Sequence, residues 1–119
     1  SKIIEIVYGE LDFEKLSELI NFCLNDENNL LVISTDLSHF YTLEEANILD
    51  ETCLNAITNK DMKKFDEGCE ACGIIGVKAL TLLAIKSNFK VELLNYCTSF
   101  DRTKDKSSVV GYSSFVMGV

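Results

Sequence analysis

Leu30-Leu31-Val32-Ile33 is an uninterrupted apolar run closed by the polar stretch Ser34-Thr35-Asp36-Leu37-Ser38-His39. Four apolar residues without alternation suit a strand covered on both faces, which is the situation inside a parallel sheet flanked by helices. Lys2 to Tyr8 (KIIEIVY), upstream, is rich in β-branched and aromatic residues and stops at Gly9, the pattern of another strand. Between them, Asp12 precedes Phe13, Leu16, Leu19, Ile20, Cys23 and Leu24 at helical spacing, a capped amphipathic helix. Strand, helix and strand in this order predict a right-handed βαβ unit with parallel strands.

Further along, Thr42 with Glu45 three residues later reads as a capping box opening a helix through about Ile57. The acidic residues between Leu43 and Glu51 are expected on its solvated face. Asn59 to Glu67 predicts a short helix, and Ile74 to about Asn88 a strongly apolar one. Phe89 to Phe100 and Ser107 to Val119 predict two strands joined by the charged loop Asp101 to Lys106. No repeat or linker divides the chain, so residues 1–119 are expected to form a single α/β domain.

Charge narrows the partners. With 11 Lys+Arg against 19 Asp+Glu the formal net charge is −8, which opposes binding to nucleic acid or to an anionic membrane face. The longest apolar stretch, Gly73 to Ile85, is broken by Lys78 and too short to span a bilayer. No charged segment followed by an apolar one opens the chain, so no signal peptide is expected. The five cysteines, Cys23, Cys53, Cys69, Cys72 and Cys97, are odd in number and scattered through apolar segments. That favours free thiols in a reducing, cytoplasmic compartment over a disulfide framework, with Cys23, Cys53 and Cys97 as core residues.

Two places could carry chemistry. Asp36 and His39 lie where the second predicted strand leaves the sheet, and ligand crevices in open α/β sheets lie beyond the carboxyl ends of strands. A carboxylate and an imidazole three residues apart can converge on one ion; equally, Asp36 can cap the turn and His39 be a surface residue. Cys69-Glu70-Ala71-Cys72-Gly73 opens the apolar helix, whose N-terminus favours a thiolate at Cys72. A redox Cys69/Cys72 pair, a single functional Cys72, and two small semi-buried residues all fit that spacing. A structural zinc site lacks a second ligand pair.

Taken in order, Val32-Ile33-Ser34-Thr35-Asp36-Leu37-Ser38-His39-Phe40, Glu44-Glu45-Ala46 with Leu49-Asp50, and Ala71-Cys72-Gly73 form a recognisable set. Leu93-Leu94-Asn95-Tyr96, Thr98-Ser99, Asp101 and Asp105-Lys106-Ser107-Ser108-Val109-Val110-Gly111-Tyr112 complete it. Together they resemble the C-terminal half of the Memo family, whose bacterial members are called AmmeMemoRadiSam system protein B. The resemblance implies a three-layer α/β/α sandwich with a mostly parallel or mixed sheet, distantly similar to class III extradiol dioxygenases, of which this chain would be one half. It also implies a site at the sheet edge in which Asp36, His39 and Cys72 are metal ligands, His39 and Cys72 catalytic, and Cys69 only a neighbour. Iron, copper or zinc would be the cofactor, bound weakly or not at all by the fragment, because two histidines of the N-terminal half have no counterpart here. The small-Pro pattern that follows Cys-Gly in the family is Ile74-Ile75-Gly76 here.

The resemblance thus implies a metal-dependent oxidoreductase of unknown substrate, inactive as a fragment. Its partners would be the missing N-terminal half, radical-SAM and AMMECR-type proteins, and further copies of itself. A non-enzymatic binding or adaptor module on the same scaffold is the alternative. The chain opens at Ser1 without an initiator Met, as a piece of a longer protein would.

Overall fold

A computed structural model describes residues 2–119. Helix α1, Phe13–Leu24, begins where the Asp12 side chain accepts the Glu14 amide. Its Leu16 and Ile20, one turn apart, pack against Ala79 and Leu83, also one turn apart, on helix α3, Ile74–Lys86. This i, i+4 pairing of two helices forms the first core cluster. Helix α2, Leu43–Thr58, starts with the Thr42 hydroxyl accepting the Glu45 amide at 3.3 Å. It buries Ala46, Asp50, Cys53, Ala56 and Ile57 on one stripe. A 3-10 helix, Met62–Glu67, follows, capped by Asp61, and sets Phe65 among Ala56, Ile57 and Val77 in a second cluster.

The sheet differs from expectation. Strands β1 (His39–Tyr41), β2 (Lys90–Thr98) and β3 (Val109–Gly118) pair in the order β1-β3-β2, and both pairings are antiparallel. Neither Lys2–Tyr8 nor Leu30–Ile33 belongs to a ladder among the described residues, so the expected parallel βαβ pairing is corrected. The segments have the composition of strands, but backbone donors and acceptors become a strand only against a neighbour. Their side chains show the consequence: Ile3 is 86%, Val7 95%, Leu30 88% and Val32 76% exposed. The observed architecture is an α/β fold with a three-stranded antiparallel sheet rather than a parallel or mixed one. The charged loop expected after β2 begins as one helical turn, α4 (Phe100–Thr103), closed by Lys104 in a left-handed conformation.

Two glycines permit close packing. Tyr8 lies across Gly76 of α3, where a Cβ would overlap the phenol, and its hydroxyl donates to the Gly73 carbonyl at 3.0 Å. This contact holds the N-terminal segment on the molecule although that segment has no strand partner among the described residues. Gly111 of β3 lies against the Asp50 carboxylate so closely that a Cβ would overlap it. Cys53 is bonded to Cys69 in a disulfide, leaving Cys23, Cys72 and Cys97 free. The expectation of five free thiols is therefore corrected, and the cysteines no longer argue for a reducing compartment. Spacing concealed the pair: the two residues are 16 apart and meet only because α2 folds beside the loop that precedes α3. No helix among the described residues is long and apolar enough to cross a membrane.

Candidate functional site at the sheet edge

The Ser34–His39 stretch leaves its extended run and joins the sheet at β3. Leu37 donates its amide to the Gly111 carbonyl at 2.9 Å, and the Gly111 amide donates to the Ser38 carbonyl at 3.0 Å. Leu37 and Ser38 are buried while Asp36 and His39 are half-buried, so the turn is anchored by its interior residues and presents its ionisable ones. A register shift between His39 and Tyr41 breaks the β1 ladder, and the intervening Phe40 takes a left-handed φ of 66°. A bulge of this kind re-aims neighbouring side chains at a sheet rim. His39 Nε2 lies 3.4 Å from Asp36 Oδ2.

Cys72 reaches the same corner from the other side of the chain. Its amide donates to the Asp36 carbonyl at 3.2 Å, and the Asp36 amide donates to Cys72 Sγ at 3.3 Å. The Thr35 hydroxyl lies 3.4 Å from that sulfur and accepts the Gly73 amide at 2.8 Å. The loop carrying Cys72 is tied at its upstream end as well, by the Cys53–Cys69 disulfide and by Tyr41 donating to Glu70 at 2.8 Å. Asp36 is thus the meeting point, its side chain facing His39 and its backbone facing Cys72. Cys69 is bonded to Cys53 rather than to Cys72, which removes a disulfide within the Cys69/Cys72 pair and leaves Cys72 as an exposed free thiol.

Oxygen, nitrogen and sulfur donors in one corner suit a borderline transition ion by their chemistry. By number they fall short: among the described residues no three His, Cys, Asp or Glu side chains are gathered closely enough to hold a metal ion. Their chemistry would suit a transition ion, but these residues do not by themselves close a metal site.

Sequence reasoning missed the acid beneath this corner. Asp50, expected on the solvated face of α2, is fully buried. Its Oδ1 accepts the Ser38 amide at 2.9 Å, and its Oδ2 accepts the Tyr96 hydroxyl at 2.6 Å. Burial and the adjoining carboxylate push the Tyr96 phenol well above the usual tyrosine range. The recurrence of Ala46, Asp50, Cys53 and Ala56 at steps of three and four residues was the available signal, since it places Asp50 on the apolar stripe.

The family model for Memo-like proteins matches residues 1–116. The chain belongs to the Memo-like family. MEMO1 family proteins of Archaeoglobus fulgidus and Nitrosopumilus maritimus are 30% and 31% identical to it over 99% and 95% of its length. One from Methanobrevibacter smithii is 34% identical over 95%. These alignments cover 49%, 44% and 44% of the three relatives, so the chain spans just under half the length of these three.

Proposed function

We propose that this chain is the part of a Memo-like, metal-dependent oxidoreductase that contributes Asp36, His39 and Cys72 to a site completed by donors from the rest of a Memo-length protein. The observation that carries this reading is the convergence on Asp36: imidazole on its carboxylate, thiol on its amide. His39 Nε2 and Asp36 Oδ2 lie 3.4 Å apart, and a cation bound there would compete with protons for both donors. A redox ion there, iron or copper, would supply dioxygen-linked oxidation of the kind that a dioxygenase-like protein performs. This chain's own residues hold the donors in place, with His39 Nε2 also able to carry a proton against Asp36 and Cys72 offering a soft sulfur.

In the full-length protein, His39→Ala and Cys72→Ala are each expected to weaken ferrous or cuprous ion binding at least about tenfold, measured by competition with a chromophoric chelator. Variants that bind as tightly as the parent would end this reading. The open donor count favours a second one, a binding module acting beside radical-SAM and AMMECR-type proteins. Copurification of such a partner that survives metal stripping would support it over the first.

We infer that the rest of a Memo-length chain would cover an apolar surface of this one. A cavity of about 490 Å³, lined by residues such as Leu31, Ile33, Leu80, Phe89, Phe115 and Met117, opens between the Leu30–Ile33 segment and β3. The exposed Ile3, Ile4, Val7, Leu30 and Val32 add apolar surface of the sort that a covering element removes from water. The greater length of the relatives supports the remaining half of such a protein as the occupant. The 119-residue chain alone is therefore expected to self-associate in light scattering, and a chain extended to the length of its relatives is not. A monodisperse monomer of the short chain would show that the surface needs no cover.

A further inference from the structure

Asp50 is a wholly buried acid that no ion pair among the described residues neutralises. Burying a carboxylate without a cation is costly, and a position on the inner stripe of α2 would accept an apolar residue at no such cost. The return lies in what the carboxylate holds. Ser38 stands between Asp36 and His39, and its amide is taken by Asp50 Oδ1 at 2.9 Å. The two bonds of this turn to Gly111 use the Leu37 amide and the Ser38 carbonyl, leaving the Ser38 amide to Asp50. The Ser38 hydroxyl is buried and has no partner among the described residues, so removing the carboxylate would leave the Ser38 amide unmet beside an already unmet hydroxyl. On the other side, Tyr96 of β2 donates to Oδ2 at 2.6 Å and fixes the carboxylate, with Asn47 Oδ1 3.2 Å from the same hydroxyl.

We propose that Asp50 is the positioning residue of the candidate site, acting through the Ser38 amide to hold the Asp36–His39 turn, with Tyr96 as the strut that orients its carboxylate. This rests on the reading that Asp36, His39 and Cys72 work together, and it adds a buried group that touches none of them. Through it, β2, β3 and α2 share one anchor directly under the turn. Gly111 is what lets the carboxylate reach that position, since any larger residue there would occupy its space.

His39 is the only histidine of the 119-residue chain, so its imidazole gives a single set of carbon-bound proton signals in NMR spectra of that chain. Amide exchange at Ser38 reports the anchoring bond directly. Asp50→Ala is expected to shift the His39 signal and to speed exchange at Ser38 by at least about tenfold relative to Leu83 in the α3 core. Asp50→Asn, whose amide oxygen still accepts from Ser38, should restore Ser38 protection and return the His39 signal toward that of the parent. Tyr96→Phe should shift the His39 signal in the same direction as Asp50→Ala. Uniformly faster exchange at Ser38 and Leu83 with an unmoved His39 signal would mean that Asp50 only stabilises the fold, and the proposal fails. If Asp50→Ala does not fold, Tyr96→Phe decides alone: an unmoved His39 signal overturns the proposal. None of these readouts needs a metal, so failure of the metal-site reading leaves this test intact.

Discussion

Gly111→Ala is expected to lower stability by about 3 kcal/mol, through overpacking and disruption of a buried carboxylate's hydrogen bonds. The cause is local. A methyl group on Gly111 would occupy the space of the Asp50 carboxylate, which is held between the Ser38 amide and the Tyr96 hydroxyl. Moving the carboxylate breaks both bonds, and moving β3 instead breaks the two bonds that Gly111 makes to Leu37 and Ser38. Neither escape is cheap, because the surrounding Leu37, Cys53 and Val109 are essentially inaccessible to solvent and close-packed interiors yield little. For a domain of this size the loss corresponds to a fall of about 10 °C in melting temperature. A melting temperature within two or three degrees of the parent, a shift of under about 1 kcal/mol, would show that the carboxylate does not sit against this strand.

The second large effect concerns the Cys53–Cys69 disulfide. Its reduction, or the double change Cys53→Ala with Cys69→Ala, is expected to cost about 3 kcal/mol. The cross-link closes a loop with a sequence separation of 16, and the estimate follows from the chain entropy it removes from the unfolded state. Mass spectrometry after alkylation checks the chemistry first. The unreduced, denatured protein should take three labels, at Cys23, Cys72 and Cys97, and the reduced protein five. Denaturant unfolding with and without reductant then gives the energetic effect. Five labels without reductant would show that the bond does not form in solution, and the stability difference should then vanish. Because Cys69 opens the loop that carries Cys72, reduction also frees one of the ties that fix the thiol beside Asp36.

Much of the helical framework was legible in the chain. Asp12 and Thr42 cap the helices they were expected to open, because an acceptor side chain beside unsatisfied amides is a local matter. The apolar helix from Ile74 and the two long strands near the C-terminus follow from periodicity and composition in the same way. The strand-end motif was legible as a candidate, and the chain does bring Asp36, His39 and Cys72 to one corner. Lys2–Tyr8 and Leu30–Ile33 show the limit: their composition is that of strands, yet the described residues supply no neighbour to complete them.

What the sequence determined by itself is therefore local: where helices start, which stretches are extended, and which residue types stand at the turn after Ile33. The tertiary structure alone decided the pairings between distant parts. It made the sheet antiparallel, joined Cys53 to Cys69, set the Cys72 sulfur on the Asp36 amide, and drew Asp50 inward beneath Ser38. Propensity, capping and periodicity act over a few residues, whereas these contacts form only when segments far apart in the chain bury a common surface, and a burial pattern does not name the partner on its other side.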